Sequence, residues 1–121
     1  MSTVAAQSGG ADGTGAFAPA GSLAETRSGH TATLLPDGRV LVVGGWGDEY
    51  RLPPAEVWDP ATASFSPAGT LAEARGGDHT ATLLPDGRVL VVGGMGADWD
   101  DLASAEVWDP ATASFSPCLL Y

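Results

Sequence analysis

The stretch "HTATLLPDGRVLVVGG" runs from His30 to Gly45 and recurs without a change from His79 to Gly94. A catalytic site requires one constellation of groups, not two copies of it. A repeated building block requires its buried strands and its turns each time. The duplication therefore assigns these residues to a scaffold and leaves any specific function to the residues outside them. A second stretch, "AEVWDPATASFSP", stands at Ala55 to Pro67 and again at Ala105 to Pro117. "LAETRSGHTATLL" from Leu23 matches "LAEARGGDHTATLL" from Leu71, with one residue inserted before His79. A third, partial copy opens the chain: "TGAFAPAGSLAETR" from Thr14 shares nine of fourteen positions with "TASFSPAGTLAEAR" from Thr62. His30 to His79 is 49 positions and Trp58 to Trp108 is 50. A period of that length indicates a propeller or a solenoid array.

Each unit reads as four short strands. "HTATLL" (30–35) is the first, followed by the turn Pro36-Asp37-Gly38, where Pro presets φ and Gly accepts a positive φ. "RVLVVGG" is the second, and its unbroken apolar run from Val40 to Val43 suits a strand buried on both faces. The Gly44-Gly45 doublet admits backbone where a side chain would clash. "AEVWDP" is the third strand, stopped by Pro60, and "ASFSP" is a short edge strand. No segment shows helical periodicity.

An apolar run ending in a Gly doublet, then an aromatic, then another aromatic further on, resembles the kelch motif. The residues that carry the resemblance are Val40 to Gly45, Trp58 and Phe65, and in the second copy Val89 to Gly94, Trp108 and Phe115. Trp and Phe stand where the kelch-repeat family usually has Tyr and Trp, which keeps aromatic bulk at both positions. The resemblance covers about residues 14–117 and implies an all-β fold: two four-stranded antiparallel kelch-type propeller blades, a partial β-propeller. The expected division is a disordered leader over 1–13, an outer strand of a preceding blade plus the first blade over 14–67, the second blade over 68–117, and a tail over 118–121.

Composition narrows the function classes. The net charge of −10 opposes binding to nucleic-acid phosphates and to anionic membrane surfaces. No apolar run reaches the roughly 18 residues of a membrane span, and the opening residues lack the pattern of a secretory signal, so a cytoplasmic location is the default expectation. One cysteine, Cys118, cannot form an internal disulfide and has no basic neighbour in sequence to activate it. His30 and His79 are the only histidines, too few to converge on a metal, and are expected to hydrogen-bond a neighbouring blade. Arg27 and Arg75 are expected to meet carboxylates such as Asp59 or Glu25. "DWDD" (98–101) lacks the Gly and terminal Glu of an EF-hand loop. No metal, no cofactor and no catalytic constellation is expected, and the chain is read as not an enzyme.

Strand parity places the variable stretches 46–54 and 95–104 at one end of the blades, with the inter-blade segments through Glu25 and Glu73 beside them. Loops on a rigid scaffold carry function. The candidate ligand-binding residues are therefore Trp46, Asp48, Tyr50 and Arg51 from the first loop and Asp98, Trp99 and Asp100 from the second. Aromatics with Arg are typical of protein interfaces. The resulting reading is a non-catalytic binding or scaffolding module, a fragment of a larger propeller, with a protein partner. A carbohydrate-binding face is the alternative, and a remnant of a galactose-oxidase-like enzyme is a weaker third. Propellers have about 4 to 8 blades, so two blades leave open apolar faces, which makes head-to-tail self-association a further expectation.

Overall fold

A computed structural model describes residues 17–50 and 53–117, the side chain of Tyr50 excepted. The leader expected over 1–13, Arg51 and the tail from Cys118 lie outside the described residues. Among the described residues the first sheet consists of β1 (Thr31–Leu34), β2 (Val40–Val43), β3 (Glu56–Asp59) and β4 (Ser64–Pro67). The second consists of β5 (Gly77–Leu83), β6 (Val89–Met95), β7 (Ala105–Asp109) and β8 (Ser114–Pro117). Each is a four-stranded antiparallel meander in chain order. The registers repeat: Trp58 faces Phe65 across β3 and β4, and Trp108 faces Phe115 across β7 and β8. These are two blades, as the repeated segments predict.

The core lies between the blades. Leu41 and Val43 of β2, with Ala55 and Val57, form one buried cluster with Val89, Val91 and Trp108 of the second blade. Identical residues meet different fates on the two sides of this interface. Val43 is 0% exposed, whereas its counterpart Val92 is 38% exposed. The apolar run buried on both faces is thus realised only in the first blade.

Three polar contacts lock the blades together. The amide of Gly45 donates to the Arg75 carbonyl (3.0 Å). His79, buried, places Nε2 3.1 Å from the Val43 carbonyl and 3.0 Å from the Thr31 hydroxyl of the first blade. A carbonyl only accepts, so Nε2 carries the hydrogen. Gly44 makes room for this: a Cβ there would lie 2.5 Å from the His79 ring and 2.6 Å from the Arg75 carbonyl. The expected inter-blade role holds for His79. His30, at the equivalent position of the first blade, is exposed.

The arginines meet buried carboxylates as expected, but not the ones named from the sequence. Arg75 pairs with Glu106 (3.1 Å), not with Glu25 or Asp59, and Arg27 pairs with Glu56 (2.8 Å). All four side chains are buried, at 0–5% exposure. Asp59 instead accepts from the Ala61 amide and closes its own turn. Glu106 also accepts from the amides of Ala72 and Glu73, which ties the inter-blade segment to β7. The opening segment behaves as a copy of that connection. The Trp58 indole donates to the Ala20 carbonyl (2.7 Å), as Trp108 donates to Ala68 (2.8 Å). Residues 17–20 form no strand and Phe17 is fully exposed.

Two stability predictions result. Gly45 has φ +90°, and a Cβ there would lie 2.6 Å from the Ser28 carbonyl. Gly45→Val should therefore destabilise by at least about 2 kcal/mol, read as a lower urea midpoint. An unchanged midpoint would refute the close approach.

Burial, the leading cause, holds His79 below its usual pKa of 6.5. Arg75 and His30 act in the same direction, while the hydrogen bond to Val43 and the Asp78 carboxylate oppose it. The unfolded chain binds a proton near that pH that the folded chain refuses. Stability is then full above the unfolded value and declines as pH falls through the folded one. The urea midpoint should drop as pH falls below the usual 6.5, and His79→Gln should flatten the drop. A pH-independent wild type would show that the folded ring protonates freely.

Candidate functional site

The variable loops converge at one end of the blades because each connects the second strand of a blade to its third. In the second blade the ladder continues past β6. Leu102 donates to the Gly94 carbonyl (2.7 Å), Gly96 to Asp100 (2.9 Å) and Trp99 to Gly96 (3.0 Å). The loop is a tight turn with Trp99 at its tip, at φ +66°. A bulky side chain in the left-handed region costs about 1 to 2 kcal/mol, so other contacts must hold Trp99 there. In the first blade Asp48–Tyr50 forms a 3₁₀ turn after Trp46.

Trp46 and Trp99 stack, with ring centroids 4.6 Å apart and planes inclined by 20°. They come from different blades. Trp46 is fixed from below by backbone. Its amide and carbonyl bridge Ser28, and its ring reaches across to Gly76 and Gly77 at the start of the second blade. A Cβ on Gly76 would come within 2.2 Å of the indole. Ser28 bridges Trp46 just as Gly77 pairs with Met95. The extra residue between the arginine and the histidine of the second unit is therefore Gly76. The single insertion that breaks the repeat is the residue that makes room for Trp46.

Beside the stack lies a pocket of about 370 Å³ whose polar lining is Glu73, Asp98 and Asp100, with Ala74, Ala97 and Leu102 as apolar walls. Glu73 accepts from the Ser104 hydroxyl. Arg75 holds the stem of this loop, donating to the carbonyls of Gly93 (2.9 Å) and Ser104 (3.1 Å). The pocket is acidic and Trp99, 56% exposed, stands next to it. Among the described residues no group of three or more His, Cys, Asp or Glu is arranged to hold a metal ion.

Of the sequence candidates, the structure brings together Trp46, Asp98, Trp99 and Asp100. Asp48 is exposed on the 3₁₀ turn and is not part of the pocket lining. The side chain of Tyr50 and all of Arg51 lie outside the described residues. Glu73 was missed as a site residue. Its segment was placed at the right end of the blade, but nothing in "LAEARGG" says which carboxylate turns towards the loop.

Two antiparallel four-stranded sheets packed face to face, with their variable loops at one end, define consecutive propeller blades. Residues 79–118 match the family model described as the Kelch motif. The second blade is a kelch repeat, and the first carries the same two segments letter for letter. No curated protein matches the chain. Among solved structures, a fungal alcohol oxidase of the AA5 family, in complex with copper, is similar at a TM-score of 0.58. The identity is 22%, over 73% of this chain and 18% of that one. A likeness at that identity shows the fold alone.

The geometry yields a direct test. Gly76→Val should dislodge Trp46 and abolish the near-ultraviolet circular dichroism of the stacked indoles, while the far-ultraviolet spectrum keeps its β signal. An unaltered near-ultraviolet spectrum would refute the placement of Trp46 against Gly76.

Proposed function

We propose that the chain is a non-catalytic binding module of kelch type, part of a larger propeller. It takes a protein partner on the loop end, through Trp99 and the acidic pocket beside it. The observation that carries this reading is the stack of Trp46 and Trp99. Two blades contribute one indole each, the inner one is braced by glycine backbone, and the outer one stays accessible in a strained backbone conformation. A rigid, half-exposed aromatic is the usual anchor of a protein interface.

The pocket chemistry supports a basic partner. Glu73, Asp98 and Asp100 beside an indole suit a cationic side chain, above all an arginine, whose planar guanidinium stacks on Trp and pairs with carboxylates. The net charge of −10 steers a basic segment towards the whole molecule. No step of chemistry is assigned to these residues.

Tryptophan fluorescence tests the reading. Titration with an arginine-rich peptide should give a saturable change that weakens with added salt and disappears in Trp99→Ser. An acidic peptide of equal length should give none. Saturation by a neutral oligosaccharide in place of the peptide would overturn the protein reading in favour of a sugar-binding face.

A further inference from the structure

The two open faces of the molecule are the two halves of an interface it already contains. In that interface the trailing face of the first blade, with Leu41 and Val43, meets the leading face of the second, with Val89 and Val91. The second blade carries Leu90 and Val92 on its trailing face, and the first carries Val40 and Val42 on its leading face. On these two faces Val92 is 38% exposed, Leu90 and Val40 are half-buried and Val42 is buried at 6%, whereas Leu41, Val43, Val89 and Val91 at the internal interface are all fully covered.

The polar lock is duplicated as well, with one half empty. Gly44 and Gly93 share a conformation, φ +71° and +69°. At Gly44 the space in front of the backbone is filled by the His79 ring and the Arg75 carbonyl. At Gly93 a Cβ would meet only the Leu102 carbonyl, at 3.4 Å. The His79 socket thus exists a second time without its histidine. Its hydroxyl partner is duplicated too: Thr31 serves His79, and the equivalent Thr80 is exposed. The matching histidine is His30, exposed on the leading face.

We propose that the occupant of this face is a second copy of the chain. The leading blade of one copy packs on the trailing blade of another, with His30 entering the socket formed by Gly93, Thr80 and the Val92 carbonyl. Along the second strands and at the histidine socket the contact repeats the intramolecular one, whose shape and hydrogen bonding each molecule already contains; Met95 stands where Trp46 does, and Gly76 has no counterpart in the first blade. The contact is head-to-tail and extends by two blades per copy. Phe17 occupies the sequence place of Phe115 and is fully exposed, so the neighbour's β8 takes the outer position of the shared seam. This inference is independent of the loop reading, because the faces involved lie between blades and not at their loop end.

Light scattering on the whole chain over a range of concentrations is the test. The mass should rise with concentration above 12.2 kDa, towards the two to four copies that fill a ring of about 4 to 8 blades. Val92→Glu should hold the protein at the single-chain mass with an unchanged far-ultraviolet spectrum. His30→Ala, at a position exposed in the single chain, should weaken assembly about tenfold without moving the urea midpoint of the monomer. A wild type that stays at 12.2 kDa throughout would overturn the proposal. So would assembly undiminished in both variants, which would place the contact elsewhere.

Discussion

The buried pair of Arg75 and Glu106 is the contact on which the rest of the molecule depends. Its two side chains are withdrawn from water, a cost offset by hydrogen bonds to every group of the pair except the Arg75 Nε. Those bonds organise the surroundings. Glu106 accepts the amides of Ala72 and Glu73, so the connection from the first blade must follow one path across β7. Arg75 donates to Gly93 and Ser104, so the stem of the long loop is fixed to the same point. Its own carbonyl then receives the amide of Gly45 from the other blade. One ion pair therefore positions the strap, the loop and the inter-blade seam. Arg27 and Glu56 repeat the arrangement in the first blade.

What the sequence discloses follows the physical origin of each feature. Strand order and turns were legible because repeated apolar runs and Pro-Asp-Gly turns are local signals. The inter-blade role of His79 was legible because only two histidines exist, at equivalent places. The partners of the arginines were not. Alternation puts Glu56 beside Trp58 on one face of a strand, which gives no sign that Glu56 is buried at 4% exposure. An ion pair spanning about thirty residues is a tertiary fact, and the nearer Glu25 was an attractive but wrong partner.

The loop end shows the same division. Composition singled out Trp46 and Trp99, but their stacking depends on Gly76, whose importance appears only once the two units are aligned through their ladders. The inserted residue looks like a trivial irregularity in the text of the sequence. In space it makes room for an indole of the neighbouring blade.

The literal identity of the two blades has a consequence for how the chain finds its fold. β2 and β6 share the sequence Val-Leu-Val-Val, and β3 and β7 share Glu-Val-Trp-Asp. In the unfolded chain β2 therefore makes the same side-chain contacts with β7 as with β3. Only the length of the intervening loop separates the two choices, and loop-closure entropy grows slowly enough that the difference is on the order of 1 kcal/mol. Local pairing is favoured by that small margin alone until the unique residues come into play. Gly76 and the two dissimilar loops are thus address labels, telling otherwise interchangeable hairpins which blade they belong to.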